Sequence, residues 1–124
     1  MSIQEFFSHE LNTWNNSIDF YLEDLAILQE RLAEVTNKNT KTAVLVQAEH
    51  FQNQFAIQKA KLEEVRTNIK SQKEDLAASL KQAAAIYDLD IVDAQYFLRE
   101  SIQLEEKIFM EMKHSFYRFL ARVF

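Results

Sequence analysis

The chain has 124 residues, a formal net charge of −5 at pH 7 and 48% hydrophobic residues, enough apolar material for the core of one domain. It contains no cysteine, glycine or proline. That excludes disulfides, thiolate nucleophiles, cysteine-ligated zinc and iron–sulfur sites, glycine-rich phosphate loops and a glycine-flanked nucleophile elbow, and the acidic balance argues against a general nucleic-acid binder.

A chain without glycine also disfavours tight hairpins, whereas three long helices need only two turns. No run approaches the roughly 18 apolar residues of a membrane span, and no apolar signal segment follows Met1. The expectation is a cytoplasmic protein with no transmembrane segment.

Ser2 and Glu5 have the spacing of a capping box. Phe7, Leu11, Trp14, Ile18, Tyr21, Leu25, Leu28, Leu32 and Val35 then recur four and three residues apart, the cleanest heptad register in the chain. Ile3 and Phe6 extend that face. Asn12 to Ser17 lowers helix propensity, yet Leu11, Trp14 and Ile18 stay in register, so an unbroken helix over about 3–36 is expected. Thr36 to Thr40 reads as the first break, with Asn37 as a left-handed C-cap and Asn39 or Thr40 as the next N-cap.

In the middle third, Val44, Ala48, Phe51, Phe55, Leu62, Val65, Ile69 and Leu76 mark one stripe, interrupted at Gln58 and Gln72. A helix over about 40–84 would be about 60 Å long and could not bury its apolar side alone. Residues 1–37 hold seven acidic side chains and one basic, residues 38–85 eight basic and five acidic, so the first two helices are matched in charge as antiparallel neighbours. The second turn is expected near Ala85 to Leu89, with Asp88 or Asp90 as N-cap.

The last segment carries Ile91, Leu98, Ile102, Phe109, Met112, Phe116, Phe119 and Val123 on one stripe, broadened by Leu104, Ile108, Leu120 and Phe124, with Glu105 as its one acid. This is more apolar surface than a single seam requires. The reading is an all-α, antiparallel up-down-up three-helix bundle with long helices, one domain over residues 1–124, its third helix over about 89–122. In helix length, topology and a tryptophan on the first helix, the architecture resembles spectrin-type three-helix domains. That likeness is of fold alone.

The function expected is a non-enzymatic helical interaction or scaffold module that forms a homodimer or binds a helical partner protein. Phe116, Phe119, Leu120, Val123 and Phe124 are the interface candidates. No nucleophile–base–acid set emerges, so no catalytic residue is assigned, and no cofactor is expected.

A second reading is a metal-binding bundle. Glu111 and His114 form the Glu-x-x-His pair that di-iron bundles repeat, although those use two such pairs on four helices. With turns near 38 and 86, His50 falls level with about residue 27 and His114 with about residue 53, so Glu30, Glu49, His50, Glu111 and His114 share a layer. A third reading takes Lys107, Lys113, Arg118 and Arg122, beside Tyr117 and Phe124, as a contact for an anionic membrane or nucleic acid. The glutamates of the same helix weaken it, and no nucleic-acid partner is expected.

Overall fold

The periodicities become three helices: α1 (Ile3–Lys38), α2 (Thr42–Leu80) and α3 (Leu89–Val123). The computed structural model describes residues 2–81 and 89–124, and no strand occurs among them. Ser2 caps α1, its Oγ accepting from the Glu5 amide at 3.1 Å. α1 runs unbroken through Asn12 to Ser17. There the Ser17 hydroxyl donates to the Thr13 carbonyl, and the Asn15 amide donates to Asp19 one turn on. These polar side chains are satisfied within the helix and do not compete with it.

The first turn lies later than expected and is built differently. α1 continues to Lys38, and Asn39 closes it in extended backbone (φ −114°, ψ 136°), its amide N–H and its side-chain Nδ2 both donating to the Val35 carbonyl. Asn37 does not adopt the left-handed conformation, since no described residue has positive φ. The doubled bond at Val35 satisfies an end carbonyl without it. Lys41, not Asn39 or Thr40, precedes α2, and it provides no side-chain cap. The expected end of the second helix near 84 and the turn with Asp88 fall on residues 82–88, outside the described residues. Asp90 lies inside the first turn of α3, where its charge favours the helix N-terminus.

Contacts fix the directions of the helices. Asp19 of α1 meets Arg66 of α2, close to the middle of each, after a connection of only three residues, so these two are antiparallel. On α2 and α3, Gln72 meets Gln95, Gln58 meets Glu105 and Phe51 meets Phe119, so one number falls as the other rises. Helices α1 and α3 are therefore parallel, with α2 packed mainly against both.

The core has two ends of different chemistry. Near the first turn, Phe51 and Phe55 of α2 interlock with Phe116 and Phe119 of α3 at ring separations of 5.1 to 5.3 Å, Phe55 and Phe116 edge to face at 82°. The opposite end is polar. Gln72 Nε2 donates to the Ile91 carbonyl at 2.9 Å and to Gln95 Oε1 at 3.1 Å, while Gln95 Nε2 donates to the Phe7 carbonyl and to Glu10. One amide network thus ties all three helices together.

Between the two ends, Gln58 Nε2 donates to Glu105 Oε2 at 3.1 Å, both residues being buried. The polar residues that interrupted the α2 and α3 stripes are therefore each other's partners or partners of Gln95. None of the described buried side-chain polar atoms lacks a hydrogen bond.

Replacing Gln58 alone by Leu leaves Glu105 buried without its donor, and should cost about 1–3 kcal/mol. Replacing Gln58 and Glu105 together by Leu should return the urea midpoint to the wild-type value or above it, because neither polar group then needs a partner. Equal losses in the single and double variants would show that this pair is not coupled.

Candidate interaction surface

The residues proposed from sequence as a metal layer do not assemble. Glu30, Glu49, His50, Glu111 and His114 are all exposed, each on a position that flanks or opposes its helix's buried stripe. The register set by Asp19 and Arg66 puts His50 level with the Val35 region of α1, about two turns beyond residue 27. The His50 ring packs against its neighbour Phe51 at 5.8 Å. Among the described residues no group of three or more His, Asp or Glu could hold a metal ion, and no helix is long and apolar enough to cross a membrane.

The five interface candidates divide. Phe116 and Phe119 are wholly buried, because in the antiparallel register they face Phe51 and Phe55 of α2. Neither is available as monomer surface. Leu120 and Val123 are partly buried against the core, and Phe124 is exposed. Ile3 and Phe6 are also exposed, so the first helix's apolar stripe effectively begins at Phe7.

Exposed apolar side chains concentrate elsewhere along α3. Of the seventeen large exposed hydrophobic residues among those described, nine belong to Leu89–Phe124. They flank the buried stripe on both sides. Towards α2, Ile108 stands beside Ile57, which is 71% exposed, with exposed Leu104 one turn before it, while Phe97 lies further along beside Asn68 and Ser71. A groove of about 460 Å³ there is lined by Ile57, Gln58, Ile108, Glu111 and Met112, among others. Towards α1, the exposed residues are Tyr96, Met110, Tyr117 and Phe124.

That second flank is framed by ion pairs. Arg99 grips Glu10 with two hydrogen bonds, of 3.0 and 2.6 Å, and lies 5.9 Å over the Trp14 ring. Lys113 Nζ donates to Asp24 at 2.7 Å and sits 5.5 Å over Tyr117. Both pairs join residues 89 apart, so α1 and α3 keep one register along their length. At that offset the exposed Phe6, Phe20 and Ile27 of α1 stand beside Tyr96, Met110 and Tyr117 of α3, with the polar Thr13 and Gln103 in the heptad between the first and second pairs. The result is an interrupted double apolar stripe beside two ion pairs. Near its middle, Thr13, Asn16 and Ser17 open a shallow cavity of about 340 Å³ beside Phe20 and Tyr21.

The protonation equilibria on this flank have clear directions. The hydrogen bond to Asp24 holds the Lys113 ammonium above the ordinary lysine value of 10.5, and the bond to Glu10 does the same for the Arg99 guanidinium. Burial raises the Tyr21 hydroxyl above 10.0, assisted by the Glu106 carboxylate beside it. The Tyr21 ring packs on Phe109 at 5.0 Å, so the ring belongs to the core and its hydroxyl is used at the edge.

Sequence periodicity could have found Phe6, Phe20 and Ile27, which are seven or fourteen residues apart. They were hidden by the stronger stripe beside them. Nothing in the sequence alone set the offset that aligns them with Tyr96, Met110 and Tyr117.

Two outcomes are expected. Phe116→Ala should destabilise the fold by about 3–5 kcal/mol, whereas Phe124→Ala should stay within about 0.5 kcal/mol in urea titrations of dilute protein. For pH, raised folded-state values on Lys113 and Tyr21 stabilise the fold fully below about pH 10, and that contribution is lost as pH rises through the folded values. The urea midpoint should fall between pH 9 and pH 11.5, and Lys113→Met should flatten that fall.

No family model, curated protein or solved structure matches this chain.

Proposed function

We propose that the chain is a non-enzymatic helical interaction module in which α3 is the recognition helix. One observation carries this reading. α3 spends its core stripe on α1 and α2 and still presents Tyr96, Phe97, Leu104, Ile108, Met110 and Tyr117 to solvent. Scattered surface hydrophobics are ordinary, but exposed apolar side chains on both flanks of one helix, interrupted at Gln103 on one flank and ending before Glu111 on the other, match the anatomy of a protein-binding surface. Aromatic residues and methionine are the types enriched at such surfaces. The buried acid and amides are each engaged by a structural partner, Gln58 with Glu105 and Gln72 with Gln95, which is consistent with the same reading. The likeness to spectrin-type domains adds only a resemblance of architecture, with no cytoskeletal role attached.

The test separates interaction from stability. Phe97→Ser, Leu104→Ser, Met110→Ser and Tyr117→Ser are introduced together. The combined variant should keep its helical circular dichroism. Its unfolding free energy, measured in dilute protein, should change by no more than about 0.5 kcal/mol per site. It should lose binding of an apolar surface dye that the wild-type chain binds. A wild-type chain that binds no dye and stays monomeric at all concentrations, or a variant that unfolds, would refute the reading.

A further inference from the structure

We infer that the end of the bundle carrying the first turn docks, end on, against an anionic membrane surface. This goes beyond the interaction reading and uses none of the α3 side chains on which that reading stands. Charge is sorted along the bundle. Residues 35–48 and 112–124 hold no acidic side chain and five basic ones, Lys38, Lys41, Lys113, Arg118 and Arg122, in a chain with nineteen acids. The helix directions bring both stretches to one end, because α1 stops at Lys38, α2 starts at Thr42 and α3 stops at Val123. Lys113 is taken by Asp24. The other four are exposed and make no ion pair with any described residue. The basic stripe read along α3 therefore does not form, since Lys113 is neutralised and Lys107 lies about three turns before Arg118. A basic end forms instead.

The cations surround that end. Lys38 follows Asp24 by fourteen residues, so it stands on the side of α1 toward α3. Lys41 is in the connection between α1 and α2. Arg122 follows Ile108 by fourteen residues, on the side of α3 toward α2, with Arg118 one turn behind it. Among them the end itself is apolar. Val44 and Val123 are half-buried against the core, Leu45 is exposed, and Val46 and Phe124 are 61% and 66% exposed. The bordering acids stand further back, Glu34 one turn before Lys38 and paired with Arg31 at 3.6 Å, Glu49 two turns into α2 and Glu111 two turns before Arg118. Lys38 and Arg122 lie in the last turns of α1 and α3, where a cation also complements the helix dipole. Lys41 has the opposite position. It precedes α2, whose first turn has no acid and whose cap makes no side-chain hydrogen bond, so its charge opposes the helix it starts.

Cations on every side of a convex apolar tip fit an anionic bilayer. Headgroup phosphates and carboxylates take Lys38, Lys41, Arg118 and Arg122, while Leu45, Val46 and Phe124 enter the boundary with the acyl chains. A nucleic-acid duplex would reach only one side of the ring and leave the apolar centre without a partner. All nineteen acids lie in the remainder of the chain, so the body of the bundle is repelled by the same surface and stands away from it.

Co-sedimentation of the full untagged chain with lipid vesicles tests the inference. At low salt it should bind phosphatidylcholine vesicles containing about one-third phosphatidylserine, and bind pure phosphatidylcholine about ten-fold more weakly or less. The bound fraction should fall as sodium chloride rises toward about 0.5 M. Lys38→Gln, Lys41→Gln and Arg122→Gln should each weaken binding about five-fold, and together about a hundred-fold, with helical circular dichroism unchanged. Val46→Asp with Phe124→Asp should abolish it at every salt concentration. Lys59→Gln with Lys70→Gln removes exposed charge from the middle of α2 and should change binding by less than about two-fold. A loss from that middle pair equal to the loss from two tip lysines would overturn the inference, because net charge alone would then govern binding. So would a wild-type chain that stays free of anionic vesicles at low salt, or one that binds a DNA duplex and no vesicle. None of these variants alters Phe97, Leu104, Met110 or Tyr117, so the interaction reading stands or falls by its own dye experiment.

Discussion

One narrow seam on α2 has to be covered by two helices, and the rest of the bundle follows from that constraint. The seam is a line of side chains three and four residues apart, from Ala48 to Ser79, with every position between Phe51 and Leu76 on that line buried. A single neighbour would leave half of each side chain wet. With α1 and α3 both antiparallel to α2, they become parallel to each other, and their mutual contact is the weakest of the three. Glu10–Arg99 and Asp24–Lys113 hold it at the edge, where apolar burial is least.

The seam is not uniformly apolar, and its polar positions locate the helices. Gln58 and Gln72 are costly to bury unless each finds a partner at one particular height. Glu105 and Gln95 supply those partners, so sliding α3 by one turn would strand four polar groups at once. The phenylalanine cluster around Phe55 and Phe116 supplies most of the apolar packing at the other end. It would tolerate such a slip better, because dispersion and burial are less directional than hydrogen bonds. Stability and register are thus carried by different ends of the same core.

The outward consequence is an uneven surface. α2 faces solvent largely with charged and amide side chains. α3 has apolar residues on both shoulders of its buried stripe, and α1 has them on the shoulder nearest α3. A helix in a monomeric three-helix bundle needs an apolar arc only wide enough for two neighbours. α3 exceeds that arc, and its excess lies beside α1's own, in one register.

The sequence alone determined the helices, their number and which line of each is buried. Strict three-and-four spacing on a 3.6-residue helix puts Phe7 to Val35, Ala48 to Leu76 and Leu98 to Phe119 on single faces, whatever the neighbours are. It also marked Gln58, Gln72 and Glu105 as misfits in those lines. Only the tertiary structure decided what the misfits bond to, that Phe116 and Phe119 lie inside, and that Glu30, Glu49, His50, Glu111 and His114 point to solvent. The physical reason is that periodicity fixes a residue's angle around its own helix, whereas contact depends on the rotation and height of the next one. Those are set by long-range pairs such as Gln58–Glu105 and Asp24–Lys113, whose partners lie 47 and 89 residues apart.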